Sequence, residues 1–294
     1  MFRIKNWLFK KPGVRASKMD IFLAGLTDVG KVRSHNEDAY VTLGGQSCPP
    51  SVDCLAAVAD GMGGHAAGEV ASQMTVEGLV RLMNLGASAT EHPTGIDYSR
   101  FLGRVIEQVN KEVYEAGQDQ DKRGMGTTCT AAVMRGDQLF LSHVGDSRAY
   151  LLRNGELHQV TRDHSWVEEA VQGGVLSRDE ARTHPNRNII TRALGLDPNV
   201  TVDNYTLSAD AGDILMLCSD GLNSMVPDEE IHDILMNTEP DRAPETLVAA
   251  ANSYGGHDNI TVIVAALGSR TKPMHRSNAA TANSPLQKTV SILP

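Results

Sequence analysis

The chain lacks three features that would assign it to a special class: paired cysteines, long apolar runs and internal repeats. Its four cysteines, spread over 294 residues, form no CxxC pair and are too few to cross-link such a chain. We therefore expect reduced thiols and a cytoplasmic protein. No run of about 20 apolar residues is present, so we expect no membrane-spanning helix. With 41% hydrophobic residues and no visible repeat, the chain can bury one full core.

Acidic residues outnumber basic ones, and the excess lies in the middle of the chain. The formal net charge is −9, but residues 1–20 carry six Lys and Arg against one acid, and residues 269–294 carry four against none. The segment 21–268 therefore holds 17 basic and 35 acidic side chains, a net charge of −18. Such a charge disfavours a nucleic-acid partner and suits a site that collects divalent cations.

The two ends carry no pattern of a buried core. The apolar run of the basic N-terminal arm, residues 1–20, is short, and its stripe of Ile4, Trp7 and Leu8 suits only a weak contact with a membrane surface or a partner. The C-terminal tail, residues 269–294, is rich in Ser, Thr, Asn and Ala, and we expect it to be disordered. The folded domain is therefore predicted at residues 21–268, as a monomer.

Blocks of strand and helix patterns predict the fold class. Residues 101–113 place their apolar side chains on one face at helical spacing. Several strand-like runs follow from Gly126, with Asn154-Gly155 as a tight hairpin signal, and short connections of this kind mean antiparallel pairing. The sequence predicts more strands than one small sheet would contain. We predict an α+β fold in which two packed, mainly antiparallel sheets are flanked by helices on both sides, an α-β-β-α sandwich.

Four aspartates stand beside apolar, strand-like runs. The run 54–59 ends at Asp60, and Asp220 and Asp146 follow similar runs, while Asp258 comes just before one. An Asp-Gly pair after an apolar run is also an ordinary turn signal. Because the pattern recurs, we predict instead that these four aspartates, from distant parts of the chain, form one oxygen-rich cluster.

An aspartate cluster with almost no nearby Cys or His favours magnesium or manganese over zinc. Two such ions about 3.5–4 Å apart form a clamp for phosphoryl transfer. Arg33, five residues before Asp38, offers a planar fork that binds a phosphate bidentately. An isolated arginine would be an ordinary surface residue, and it is the neighbouring acidic Asn-Glu-Asp that makes Arg33 a candidate.

Eight segments, in order, resemble the bacterial branch of the metal-dependent protein phosphatases, the PPM or type 2C family. They are RSHNED at 33–38, VADGMGGH at 58–65, MGTTCTAAV at 125–133, HVGDSRAYL at 143–151, TRDHS at 161–165, HPNRNIITRALG at 184–195, LCSDGL at 217–222 and HDNITVIV at 257–264. The match spans about residues 21–267. No single segment is decisive, but eight in the family's order make coincidence a poor explanation.

The resemblance implies a centre of two or three Mn²⁺ or Mg²⁺ ions. Asp60 would bridge two ions, with the carbonyl of Gly61 on one of them, and Asp220 and Asp258 would complete the other. Asp146 would share Asp220 at a third site typical of bacterial members. A water held between two cations has a lowered pKa and can attack phosphorus directly.

The same resemblance implies that Arg33 would bind the phosphate group of the substrate. Glu37 and Asp38 would contact a metal or hold its waters, so that Arg33, Asp38 and Asp60 form the catalytic set. The general acid stays unassigned, because Met62 stands where animal members have a histidine. His65 is as well explained by a structural role.

The implied activity is hydrolysis of phosphoserine and phosphothreonine in proteins, in opposition to a Ser/Thr kinase that would also be a partner. Two alternatives stay open: a pseudophosphatase that binds partners without hydrolysis, and a phosphatase of small phosphate esters. The aspartates at 60, 146, 220 and 258 disfavour the first alternative, because pseudophosphatases usually lose metal ligands. The motifs do not decide between protein and small-ester substrates.

Overall fold

A computed structural model describes residues 19–49, 52–63, 66–88 and 97–268. Its strands are β1 Ile21–Asp28, β2 Asp38–Gly44, β3 Cys54–Met62, β4 Gly126–Thr127, β5 Cys129–Arg135, β6 Gln138–Val144, β7 Arg148–Arg153, β8 Glu156–Gln159, β9 Asp203–Ser208, β10 Ile214–Cys218 and β11 Ile260–Leu267. Its α-helices are α1 Ala66–Ser88, α2 Tyr98–Ala116, α3 Trp166–Gln172, α4 Arg178–Thr183, α5 Asp220–Asn223, α6 Asp228–Asn237 and α7 Ala243–Ser253.

Two sheets form the centre of the molecule. The first has the strand order β1-β11-β10-β7-β8, and the second has the order β2-β3-β5-β6-β9 with β4 paired to β3. Every strand pair described is antiparallel. This architecture confirms the predicted α+β sandwich.

Strand periodicity explains why four layers stack. In β3, Cys54, Ala56 and Val58 join the apolar core between the two sheets, while Leu55 and Ala57 face the core shared with α1 and α2. The outer face of the first sheet packs likewise against α5, α6 and α7. A strand covered on both faces needs apolar residues at every position, which is why its sequence shows no alternation.

Several local predictions are confirmed, and one needs refinement. Asn154 and Gly155 both have positive φ, 52° and 75°, as a tight hairpin of the predicted kind requires. Asp60 does not end its strand, because β3 continues to Met62 by changing its partner from β5 to β4. The tail and nearly all of the N-terminal arm lie outside the described residues, and within the described ranges no helix is long and apolar enough to cross a membrane.

One buried ion pair joins the two sheets at one end of the layer between them. The guanidinium of Arg153, in β7, is 2% exposed and donates to both carboxylate oxygens of Asp213 and to the carbonyl of Ser208, in β9. Asp210 lies farther away, at 3.6 Å, and its side chain is 49% exposed. Most of the compensation for burying the guanidinium therefore comes from Asp213.

We predict that Asp213→Ala destabilises the fold by about 3–5 kcal/mol, because it leaves a buried guanidinium without its main counter-charge. Asp210→Ala is the matched control, since it removes a half-exposed carboxylate from the same arginine and should cost less than about 1 kcal/mol. Urea unfolding of the three proteins measures both changes. An equal loss of unfolding free energy in the two variants would contradict the role of Asp213 as the main counter-charge of Arg153.

Candidate active site

The apolar layer between the sheets becomes polar at the end opposite Arg153. The inward positions continue the same two-residue alternation, but there they carry hydroxyl, imidazole and carboxylate groups. These side chains are Thr27, Asp38, Asp60, Thr128, Thr130, His143, Ser147, Ser219 and Thr261. Hydrogen bonds join them within and between the sheets. Thr27 bonds to Thr261 at 2.7 Å inside the first sheet, and Thr128 beside β5 bonds to Ser147 beside β7 at 2.8 Å, from one sheet to the other. The two sheets thus present one shared polar edge.

Asp38 and Asp60 are direct neighbours on this edge, because the register of β2 and β3 pairs them. Asp38 Oδ2 accepts hydrogen bonds from Ser219 at 2.7 Å and Thr261 at 2.6 Å, both from the first sheet. Its other oxygen, Oδ1, is buried and has no hydrogen-bond partner among the described residues. One oxygen is therefore fixed, and the other remains available to a ligand.

Asp60 lies at the centre of the aspartate cluster. Burial raises its pKa well above the usual range, and Asp38, Asp220, Asp146 and Asp258 each raise it further. Its backbone is held by Thr128, which accepts from the Asp60 N–H and donates its own N–H to the Asp60 carbonyl, both at 2.9 Å. The strand thus fixes the carboxylate on which the other four converge.

Burial also raises the pKa of Asp38, Asp146 and Asp220. Burial is the largest cause that raises the pKa of Asp38 to about 7 and that of Asp220 to about 6. Asp146, which follows β6, is 7% exposed, and burial followed by Asp220 raises its pKa well above the usual range. Its Oδ1 is also buried without a partner in the described chain. Without a cation nearby, the ionised form of these carboxylates is therefore disfavoured in free energy.

Arg33 faces the cluster from its rim. Its Nη2 donates to Asp258 Oδ2 at 2.8 Å, and its side chain is 51% exposed. Asp258, Glu37 and Asp60 all act to raise the pKa of this guanidinium. The fork therefore stays charged and reachable from solvent beside the predicted metal ligands.

Asn259 holds the loop that carries Arg33 and Glu37. Its Oδ1 accepts from the Glu37 N–H at 2.8 Å, and its Nδ2 donates to the carbonyls of Val29 and His35 at 3.0 and 2.9 Å. The Glu37 carbonyl in turn accepts from Gly61 N at 3.1 Å and Ser72 Oγ at 2.6 Å. A Cβ at Gly61 would collide with the carbonyls of Glu37 and Gly68, so only glycine permits this approach.

The donor set fits hard divalent cations. Two buried carboxylate oxygens have no hydrogen-bond partner in the described chain, and burial raises the pKa of four aspartates. The side-chain atoms of the cluster that could bind a metal are all oxygens. In the described part of the chain, no three His, Cys, Asp or Glu side chains close around one point as a complete metal cage. Mg²⁺ keeps several of its waters and is commonly bound through one or two carboxylates, so it does not require such a cage.

All eight residues singled out from the sequence lie at or beside this edge of the sheets. Sequence reasoning missed the groups that hold them, above all Ser219, Thr261, Asn259 and Thr128. The signal was present in the strand alternation, where inward positions change from apolar to hydroxyl residues near each aspartate. Met62 pairs with Gly126 in β4, and His65 lies outside the described residues.

Comparison with known proteins decides the family. Residues 31–249 match the family model described as Protein phosphatase 2C. The chain belongs to the protein phosphatase 2C family. Seven of the eight segments that carried the resemblance lie within this region, and the eighth, at 257–264, follows it. The match confirms the family predicted from them.

Relatives of this phosphatase 2C chain match along most of their length. The serine/threonine phosphatase Stp of Listeria monocytogenes is 43% identical over 241 residues, which is 81% of this chain and 92% of Stp. The serine/threonine phosphatase of S. agalactiae is 37% identical with a TM-score of 0.77, covering 84% of this chain and 99% of that one. The catalytic domain of PstP, solved in complex with two manganese ions, is 37% identical with a TM-score of 0.72, covering 86% and 100%.

We predict that Asn259→Ala loosens the loop of residues 29–37 without unfolding the sandwich. The change leaves the Glu37 N–H and two carbonyls without partners, which should cost about 1–3 kcal/mol. Hydrogen exchange of residues 29–37 should become faster, while exchange in β10 and β5 stays unchanged. Asn237→Ala, at an exposed end of α6, is the control and should change stability by less than about 0.5 kcal/mol. Unchanged exchange in the loop would refute the role given to Asn259.

Proposed function

We propose that the chain is a metal-dependent phosphatase that hydrolyses phosphoserine and phosphothreonine in proteins. The observation that carries the proposal is the convergence of five aspartates, at least two with an unpartnered buried oxygen, beside one exposed arginine. The family and the relatives named serine/threonine phosphatases support the same activity. Oxygen ligands beside a guanidinium fork are what a phosphoryl group and its counter-ions require.

Two or three Mn²⁺ or Mg²⁺ ions fit the site. Asp60 and the carbonyl of Gly61, with Asp220 and Asp258, would hold the central pair, and Asp146 would share a further ion with Asp220. Glu37 and Asp38 would contact these ions directly or hold their waters. Bound divalent cations supply an activated nucleophile and stabilise the charge that develops on phosphoryl oxygens. PstP, which was solved with two manganese ions, supports manganese as the first choice.

Arg33 would bind and orient the substrate phosphate. Its present partner is the carboxylate of Asp258, and a cation bound by Asp258 would compete with the guanidinium for those oxygens. The fork would then be free to pair bidentately with a phosphate dianion. Ser219 and Thr261 meanwhile keep Asp38 in one orientation, so that its free oxygen faces the cluster.

We also propose a cytoplasmic monomer that opposes a Ser/Thr kinase, with a catalytic domain at residues 21–268 flanked by the basic arm and the tail. All four cysteines are free thiols, and burial raises the pKa of Cys54, Cys129 and Cys218 to about 12. Buried, protonated thiols of this kind are compatible with a reducing compartment. The proposed boundary places β11, which ends at Leu267, as the last strand of the catalytic domain.

The test of the function is turnover of a phosphothreonine peptide by the purified protein, with and without Mn²⁺. We expect hydrolysis that needs the ion and that excess chelator abolishes. Turnover of p-nitrophenyl phosphate alone, with none of the peptide, would favour a phosphatase of small esters. Retained peptide binding without hydrolysis of either compound would favour a pseudophosphatase.

Removing the charge of Asp60 and removing that of Asp146 should have different effects on turnover and on Mn²⁺ binding. Asp60→Asn takes away the carboxylate at the centre of the cluster, and we expect turnover to fall by about a thousandfold or more for every substrate. Asp146→Asn should leave the central ions bound, so its defect should be partial and relieved by more Mn²⁺. Calorimetric titration of Mn²⁺ into both variants, with peptide turnover, measures the difference. Equal loss of tight binding would place Asp146 in the central pair.

A further inference from the structure

We propose that His164 is the positioning residue for Asp146, which it holds through the backbone of Gly145. The inference rests on the proposed function, because it concerns a carboxylate of that metal site. His164 is 2% exposed and follows β8 in the chain, and the roles inferred for the cluster above do not use it. Its contacts show how a side chain that touches no substrate can set the place of a metal ligand.

His164 binds both backbone polar groups of Gly145, its N–H and its carbonyl. Its backbone N–H donates to the Gly145 carbonyl at 2.7 Å, and its Nδ1 accepts the Gly145 N–H at 3.0 Å. Gly145 has φ of +113°, and a Cβ there would lie 2.5 Å from Thr128 Cγ2. The turn is therefore clamped between Thr128, which also holds the Asp60 backbone, and the imidazole of His164. Asp146 is the next residue along the chain.

These contacts fix the tautomer of the ring. Because Nδ1 accepts a backbone N–H, it carries no proton, and the proton of the neutral imidazole must lie on Nε2. Nε2 lies 3.2 Å from Asp203 Oδ2, which accepts that proton's hydrogen bond. Arg192 Nη1 is also near Nε2, at 2.9 Å, but both atoms are donors. The Asp203 carboxylate binds them both, since Arg192 Nη1 donates to its Oδ1 at 2.8 Å.

The Asp203 contact orients the ring, as carboxylates commonly orient metal-site histidines from behind. The two functions of the imidazole therefore lie on different atoms. Nδ1 holds the Asp146 turn, and Nε2 holds Asp203 in β9. Asparagine can reproduce the first contact, because its Oδ1 occupies nearly the place of Nδ1. Glutamine can reproduce only the second, because its amide reaches the place of Nε2.

His143 provides a matched control. It is fully buried, its ring centroid lies 4.7 Å from that of His164, and its nitrogens contact Thr130 and the carbonyl of Arg162. No described hydrogen bond joins the His143 ring to Gly145 or Asp146. A purely structural role for the buried histidine pair predicts similar effects of His143→Gln and His164→Gln.

The experiment titrates Mn²⁺ calorimetrically into the full chain without substrate, using His164→Gln, His164→Asn, His143→Gln and, as reference for the Asp146 site, Asp146→Asn. We expect His164→Gln to weaken the Asp146 site by about tenfold or more while leaving the tighter sites unchanged. His164→Asn and His143→Gln should stay within about threefold of the unaltered protein. In turnover, His164→Gln should lower kcat at limiting Mn²⁺ more than it raises KM.

Equal weakening in all three histidine variants, or unchanged Mn²⁺ binding in His164→Gln, would overturn the proposal. If His164→Gln does not fold, as judged by thermal unfolding, His164→Asn decides alone, and a loss beyond about tenfold then refutes the Nδ1 contact. Manganese binding without peptide hydrolysis by the unaltered protein would refute the proposed function, yet the titrations would still decide the role of His164. No manganese binding by the unaltered protein overturns both.

Discussion

Mutual repulsion among five carboxylates, four of them buried, is the constraint on which this site depends. Asp60 is surrounded by the other four, and each adds to the cost of its charge. Folding alone can lower that cost only through hydrogen bonds and a nearby cation, and Asp38 receives two hydroxyls while Arg33 pairs with Asp258. Divalent ions would remove most of the remaining cost, so the repulsion that disfavours charge in this cluster also favours the binding of metal.

The scaffold around the cluster follows from sheet packing. Each sheet contributes apolar side chains to the shared layer along most of its strands and polar side chains at one end. Ser219 and Thr261 come from one sheet, whereas Asp38 and Asp60 come from the other. A site built between two sheets needs both to be in register. The guanidinium of Arg153 in β7, paired with Asp213, helps to hold the sheets together at the far end, because it also donates to the carbonyl of Ser208 in β9.

Other proposed metal ligands, among them Glu37 and Asp146, lie in loops, and single buried side chains hold these loops. Asn259 fixes the segment before β2 with three hydrogen bonds, and His164 fixes the turn after β6 with two. Neither residue is charged in these contacts, so neither adds to the repulsion within the cluster. Neutral amide and imidazole groups are suited to such a place, because they satisfy backbone polar groups without competing for the cation.

The sequence by itself predicted the layers and the candidate metal ligands. Apolar runs such as 54–59 predicted strands buried on both faces, and aspartates beside such runs predicted one oxygen-rich cluster. Only the tertiary structure decided which side chains hold those aspartates. Nothing in the sequence distinguishes Ser219 from other serines, but the pairing of β10 with β11 places Ser219 and Thr261 within hydrogen-bond distance of Asp38. His164 likewise gains its meaning from Gly145, 19 residues earlier. Periodicity records which face a residue occupies, but partners across sheets are set by register and loop geometry, which local sequence does not encode.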